Sequence, residues 1–198
     1  MALFIPTYFS PISQYTGMAD NRAITFEVED NFQKQSYRNR CYIYNTNGKQ
    51  LLNIPVKHPV TNGRKKTKDT RIENNVAWQD QHLKSLKTAY HNSPFFEFYI
   101  DDLLPIFTKE YNFLQDLNID TFLFVKDAMQ LDIQFQKTNT YATENIKNDF
   151  RFLADVKHQP ENTFKKYIQM FDDKHGFIPN LSILDLIFME GPNTLSYL

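Results

Sequence analysis

Two short apolar runs near the start of the chain predict the first secondary-structure elements. The run ALFIPTYF, residues 2–9, predicts a buried strand that ends in a loop bracketed by Pro6 and Pro11. A short helix around residues 12–18 and a second strand over AITFEVE, residues 23–29, follow. A strand, a short crossover and a second strand are typical of the start of an α/β fold with parallel pairing.

Alternating residues predict a β-hairpin over YIYNTNGKQLLNI, because Asn47-Gly48 tolerates the positive φ angles of a two-residue turn. Such a turn pairs Arg40 with Pro55 and Arg38 with Lys57. Side chains alternate along each strand, so one face forms core. That face carries Cys41, Ile43, Leu52, Ile54 and Val56. The other face carries Arg38, Arg40, Tyr42, Asn53 and Lys57, and an extended chain adds Lys34 and Ser36.

Four further stretches fit helices: residues 76–90, 95–107, 109–128 and the C-terminal NLSILDLIFMEGPN. Asn74 or Asn75 is the expected N-cap of the first, and Ser182 with Asp185 forms a capping-box-like start of the last. Residues 132–149 predict a strand and a loop. We therefore predict a single α/β domain over residues 1–198, with a mixed sheet that includes the Asn47-Gly48 hairpin and helices packed on its faces.

Composition narrows the class of protein. The 198 residues are 41% hydrophobic and 15% aromatic, enough for one sizeable core. The net charge of -1 disfavours a general attraction to nucleic acid or anionic membranes, so any anion site is local. The single cysteine, Cys41, excludes an intrachain disulfide and a multi-cysteine zinc site. No apolar run approaches the roughly 20 residues of a membrane span, and the N-terminus lacks signal-peptide features, so we expect a cytoplasmic protein.

Common catalytic motifs are missing from the sequence. The five glycines are scattered, which excludes a glycine-rich phosphate loop, and neither HExxH nor GxSxG occurs. The histidines never fall at the spacing of two to five residues that marks metal sites. The sequence thus indicates no metal site and no particular cofactor.

The cations Lys34, Arg38, Arg40 and Lys57 form the first candidate site. A row of like charges repels itself, most of all where Arg38 lies opposite Lys57. Either solvent screens this face, or an anion sits between the cations. Arginine forks suit phosphate or carboxylate groups.

Other candidates have a structural and a functional interpretation each. His82 shares a helical stripe with Trp78, either as a half-buried structural histidine or as an acid/base that lines a cleft. Tyr8, in the loop PTYFSP, belongs either to a structural turn or to a surface that stacks on a base or sugar. Asp185 either caps its helix or is partly buried and paired with an arginine. The basic stretch over residues 63–71 is either a mobile loop or a flap facing phosphate.

Three blocks of the sequence resemble the WbqC-like bacterial proteins, in the same order. They are FQKQSYRNRCYIYNTNGKQLLNIPV, WQDQHLKSLKTAYHNSPFFEFY and FIPNLSILDLIFMEGP. The pattern K-x-S-x-x-N-R comprises Lys34, Ser36, Asn39 and Arg40, and W-x-x-x-H comprises Trp78 and His82. The resemblance implies an association with O-antigen and other surface polysaccharides. It further implies a cytoplasmic step on activated sugars, such as transfer of an amino-acyl or similar group.

The leading hypothesis is a transferase-like enzyme that acts on a phosphorylated or nucleotide-linked small molecule. His82 is its acid/base candidate, and Asp185 or Glu29 orients a cation or a hydroxyl. The candidate substrate-binding residues are Lys34, Arg38, Asn39, Arg40, Lys57, Tyr8 and Trp78. The alternative is a non-catalytic binding or scaffold protein that docks through the aromatic run SPFFEFYIDDL. Nucleic-acid binding through the basic loop is a third possibility, which the net charge disfavours.

Overall fold

The computed structural model describes residues 1–57, 65–144, 146–157 and 164–198. Its main sheet has four parallel strands in the order β5-β2-β1-β6. The strands are β1 (Ala2–Phe4), β2 (Ala23–Phe26), β5 (Gln134–Lys137) and β6 (Asn148–Asp149). Strand β1 is buried throughout, and β2 is buried except at Ala23, as expected for the centre of a parallel sheet. The α/β prediction is confirmed.

The predicted strand–helix–strand start is also confirmed. Helix α1 (Ile12–Ala19) connects β1 to β2, and the two strands pair in parallel with Ala2 beside Ile24. The chain then builds the hairpin and three helices before it returns with β5 beyond β2. Finally β6 pairs with the opposite edge of β1, so the strand order reverses between β1 and β6.

The predicted hairpin forms a two-stranded sheet of its own, β3 (Arg40–Asn45) and β4 (Gly48–Asn53). The predicted register is wrong by two residues, since Arg40 lies opposite Asn53. The turn residues are Thr46 and Asn47, and Gly48 alone supplies the left-handed conformation, with φ +94°. A shift of two residues keeps every side chain on its face, so Cys41, Ile43, Leu52 and Ile54 are buried as predicted, and Val56 is partly buried.

The extended row of cations does not form. Residues Tyr37–Asn39 make a 3₁₀ turn just before β3, which turns Arg38 away from the strand face and buries it. Lys57 does not oppose Arg38, because its backbone N–H donates to the carbonyl of Arg71. The solvated-row interpretation therefore does not describe Arg38.

The remaining helices follow the predictions with shifted ends. Asn74 and Asn75 do not cap the first helix, since Ala77 occupies the N-cap and the Asn74 side chain donates to the Tyr111 carbonyl at 3.0 Å. The predicted third helix starts five residues later than expected, at Leu114. The helices are α2 (Trp78–Tyr90), α3 (Phe96–Thr108), α4 (Leu114–Ala128), α5 (Asp172–His175) and α6 (Ile183–Glu190).

Helix α6 lies at the centre of the molecule. Ser182 is its N-cap, as predicted, and its hydroxyl accepts a hydrogen bond from the Leu184 N–H at 3.3 Å. Residues Ile183 to Phe188 are all buried, and all of them except Asp185 join one hydrophobic core with α1 to α4 and both sheets. No helix in the described part of the chain is long and apolar enough to cross a bilayer.

Candidate functional site

Two clefts flank the chain segment 30–40, which we call the dividing segment. Alternate parts of this segment face each cleft, so it forms the wall between them. The hairpin cleft, of about 330 Å³, is lined by Phe32, Lys34, Gln35, Asn39, Arg40, Asn53, Ile54, Pro55 and Val56. The carboxyl-end cleft, of about 360 Å³, is lined by Ile5, Asp30, Asn31, Gln33, Arg38, Tyr141, Arg151, Phe152 and Asp155.

The hairpin cleft gathers three of the predicted anion-binding residues. The 3₁₀ turn places Asn39 and Arg40 at the start of β3, and the left-handed Gln35, with φ +58°, bends the chain so that Lys34 faces the same cleft. The Asn39 amide is fixed, because its Nδ2 donates to the Ile54 carbonyl at 3.0 Å. Asn39 Oδ1 and Arg40 Nε have no hydrogen-bond partner among the described residues.

The charge of the hairpin cleft is one-sided. Among its described lining residues are two cations and no carboxylate. Cations left without a neighbouring acid favour a negatively charged ligand, and the guanidinium fork suits phosphate. Part of the basic stretch lies close by, because the Phe32 N–H donates to the Lys65 carbonyl at 2.8 Å.

Glu29 holds part of this basic stretch in place. Its carboxylate accepts hydrogen bonds from Lys66 and Lys68, and the Lys66 contact is the main reason why the pKa of Glu29 is lowered. The backbone N–H of Thr67 also donates to the Asp30 carbonyl at 2.9 Å. The first residues of the predicted flap, up to Arg64, lie outside the described residues.

Arg38 belongs to the other cleft. It is 2% exposed, and both its Nε and its Nη2 donate to Oδ2 of Asp30, over 2.9 and 2.6 Å. Sequence reasoning grouped Arg38 with Lys34 and Arg40 and did not find Asp30 as its partner. The sequence signal for the partner was the acidic pair Glu29-Asp30 at the end of a predicted strand.

The carboxyl-end cleft lies where all four parallel strands end. Ile5 follows β1, Asp30 follows β2, Tyr141 follows β5 and Arg151 follows β6. The strand order reverses between β1 and β6, and open α/β sheets place ligands at such a switch point. The sequence predicted neither this cleft nor Arg151, because β6 has only two residues and both are polar.

Arg151 is held by several acceptors. It forms a bidentate pair with Asp149, including Nη2 to Oδ2 at 2.6 Å, and its Nη1 donates to the Ala142 carbonyl at 3.0 Å. Its Nη1 also lies 3.8 Å from Oε2 of the buried Glu27. The pairing raises the pKa of Arg151 and lowers that of Asp149.

His82, Tyr8 and Trp78 form a buried aromatic cluster rather than the lining of either cleft. The Tyr8 hydroxyl lies 3.0 Å from Nδ1 of His82, and the Trp78 and His82 ring centroids are 5.3 Å apart. Burial lowers the pKa of His82 to about 4, although a hydrogen bond to the backbone of Asn53 acts in the opposite direction. His82 is therefore neutral at pH 7, and Asn53 connects it to the hairpin cleft.

Asp185 is completely buried, and its partners are not the expected arginine. Its Oδ1 accepts from the Tyr90 hydroxyl at 2.6 Å, and its Oδ2 accepts from the Tyr167 hydroxyl at 2.5 Å and from Gln169 Nε2 at 3.1 Å. Burial raises the pKa of this carboxyl. The Tyr90 hydroxyl also accepts from the Tyr44 N–H at 3.0 Å, so the network links α6 to the hairpin.

The aromatic run of the scaffold hypothesis presents one ring to solvent. Phe98 is 75% exposed, whereas Phe96 is buried, and Phe95 and Tyr99 are half-buried. A single ring falls short of a docking patch. Within the described ranges, no three His, Cys, Asp or Glu side chains are grouped to hold a metal ion.

Comparison with known proteins gives one result. The model of the WbqC-like protein family matches residues 6–164 of the chain. A search of curated proteins and a search of solved structures found no significant match. The matched range contains every residue that lines the hairpin cleft and all those that line the carboxyl-end cleft except Ile5.

Proposed function

Because the chain belongs to the WbqC-like protein family, we propose that it is a cytoplasmic transferase-like enzyme acting on a phosphorylated or nucleotide-linked small substrate. In this proposal the enzyme takes part in the biosynthesis of surface polysaccharides of the O-antigen type. The observation that carries the proposal is the meeting of Lys34, Asn39 and Arg40 in a cleft without a lining carboxylate.

The chemistry of the hairpin cleft fits a phosphate group. Lys34 is exposed and supplies an ammonium on a flexible stem, whereas Arg40 is half-buried and supplies a guanidinium fork. Hydrogen bonds to charged groups contribute about 1.5–3 kcal/mol each, so two cations suffice to hold one phosphate firmly. The volume of about 330 Å³ is at the lower end of the range for small-molecule sites.

His82 has a positioning role in this proposal. Its Nδ1 is occupied by the Tyr8 hydroxyl, and its hydrogen bond to the Asn53 backbone fixes a residue that lines the cleft. Glu29 acts in a similar way on the other side, since it fixes Lys66 and Lys68 next to the dividing segment. Asp185 lies in the core and supports the hairpin through Tyr90.

A ligand panel tests the proposal. Thermal unfolding of the purified protein is followed with inorganic phosphate, nucleoside diphosphates, nucleotide sugars and acyl-coenzyme A compounds. A ligand at about 100 times its dissociation constant adds roughly 2.7 kcal/mol to stability, which shifts the midpoint visibly. We expect a phosphate compound to raise the unfolding midpoint of the native protein but not that of Arg40→Ala. The control Lys87→Ala, which removes an exposed lysine on α2, should show the native shift.

Two results would contradict the proposal. The first is a shift of equal size in Arg40→Ala, which would place the anion elsewhere. The second is no shift by any compound of the panel while the native protein and the variants are well folded. That result would favour the alternative hypothesis of a non-catalytic binding or scaffold protein.

A further inference from the structure

We propose that the carboxyl-end cleft is a second, separate binding site, which takes an uncharged ligand portion bearing two adjacent hydroxyls. A sugar ring and the ribose of a nucleoside share this chemistry. The inference does not depend on the hairpin cleft or on the transfer reaction, since it rests on different residues. Its basis is the Arg38–Asp30 pair, two exposed aromatic rings and the balance of charge in the cleft.

The Arg38–Asp30 pair leaves one donor and one acceptor unused. Arg38 Nη1 and Asp30 Oδ1 have no hydrogen-bond partner among the described residues, although both atoms are buried. A buried polar group without a partner costs about 1–3 kcal/mol, and more when it is charged. Both residues line the cleft. A hydroxyl donates and accepts, so two adjacent hydroxyls can satisfy the carboxylate oxygen and the guanidinium nitrogen together.

Two aromatic rings stand at the same cleft. Tyr141 is 50% exposed and Phe152 is 44% exposed, although both line a concave surface. The Arg151 guanidinium carbon lies 5.0 Å from the centroid of the Tyr141 ring, which holds one side of the ring in place. A fixed, half-exposed ring is suited to stack on the apolar face of a sugar or on a base.

The charge of the cleft argues against a phosphate as its main ligand. Arg38 and Arg151 are balanced by Asp30 and Asp155 among the lining residues. Arg151 is already engaged with Asp149, and the buried Glu27 lies behind it. The amides of Asn31 and Gln33 add donors and acceptors without charge. This mixture of amide, carboxylate, guanidinium and aromatic groups suits hydroxyls rather than an anion.

Ligand-observed NMR tests the site with three neutral probes: a methyl hexoside, uridine and 2′-deoxyuridine. Saturation transfer and titration give a dissociation constant for each. We expect the hexoside or uridine to bind, and we expect Tyr141→Ala to weaken that binding about tenfold through loss of stacking. Phe98→Ala removes an exposed ring on α3, which does not line the cleft, and serves as the control, with binding unchanged.

Each outcome decides the inference. Binding of uridine but not 2′-deoxyuridine supports a ribose site, and binding of the hexoside supports a hexose site. Equal binding of uridine and 2′-deoxyuridine, with no binding of the hexoside, overturns recognition of adjacent hydroxyls. Absence of binding by every probe, or binding that Tyr141→Ala does not weaken, overturns the site itself. Tyr141 is half-exposed, so we expect Tyr141→Ala to fold. Arg38 is buried, and its substitution could prevent folding, so Tyr141 is the position used for the test.

Discussion

Arg38 directs two nitrogen atoms, Nε and Nη2, at one oxygen of Asp30, over 2.9 and 2.6 Å. Both side chains are buried, and the pair ties the two ends of the dividing segment together. The segment can therefore carry Lys34 and Arg40 on one side while Asp30 and Arg38 face the other. The pair holds Arg38 at the carboxyl-end cleft, whereas Lys34 and Arg40 line the hairpin cleft.

Removal of one partner of the pair is expected to be costly. Asp30→Ala leaves the Arg38 guanidinium buried without its counter-charge, which should lower the free energy of unfolding by about 3–5 kcal/mol. Urea unfolding at pH 7 measures this change. The exposed Asp132→Ala is the control, with a change within about 0.5 kcal/mol. The double variant Asp30→Leu with Arg38→Met should regain most of the lost free energy of unfolding. A loss below about 1 kcal/mol in Asp30→Ala would contradict the role of the pair.

The buried His82 predicts a pH dependence of stability. Its pKa is about 4 in the folded protein against about 6.5 when unfolded, so the unfolded chain binds a proton first as the pH falls. The contribution of His82 is fully present above pH 6.5 and is lost as the pH falls towards 4. The loss amounts to about 3 kcal/mol.

Urea unfolding between pH 7 and pH 4 measures this effect of His82. His82→Gln should be less stable at pH 7 but should show a smaller loss of stability towards pH 4 than the native protein. The control is His91→Gln, because His91 is exposed and directly follows α2. This variant should keep the native pH dependence. Identical pH profiles for the native protein and His82→Gln would show that His82 is not buried in its neutral form.

We expect Asp185 to contribute to the stability of the fold. Asp185→Ala leaves the hydroxyls of Tyr90 and Tyr167 and the amide of Gln169 without their acceptor, at about 1–3 kcal/mol for each unsatisfied group. We expect a loss of at least about 3 kcal/mol in urea unfolding. The exposed Asp173→Ala serves as the control. A stable Asp185→Ala that fails only in ligand binding or turnover would instead favour the role of Asp185 in orienting a substrate.

The hydrophobic pattern alone predicted the core side of the hairpin, because residues two apart share a face whatever the register. It did not predict the register, since Asn47-Gly48 permits either a two-residue turn at those residues or a turn that ends in a left-handed Gly48. Helix ends were similarly uncertain. Ala77 caps α2 without a side-chain hydrogen bond, so no capping residue marks its start.

The sequence placed Lys34, Asn39 and Arg40 near one another, and they line one cleft, but their role in binding stays a prediction. Arg38 does not join them, because a three-residue 3₁₀ turn interrupts the extended chain. The carboxyl-end cleft has no local signature. It is assembled from the ends of four strands that are far apart in the sequence, and β6 is too short and polar to be recognised from its pattern.

The most direct test of the proposed function is the binding of inorganic pyrophosphate by titration calorimetry. It compares the native protein, Lys34→Ala, Arg40→Ala, the double variant and the control Lys87→Ala at one salt concentration. Loss of a hydrogen bond to a charged group corresponds to about a tenfold or larger increase in the dissociation constant, which we expect for each single cleft variant. The control should bind as the native protein does. Native protein that binds no pyrophosphate, or an Arg40→Ala that binds it with native affinity, would contradict an anion site in the hairpin cleft.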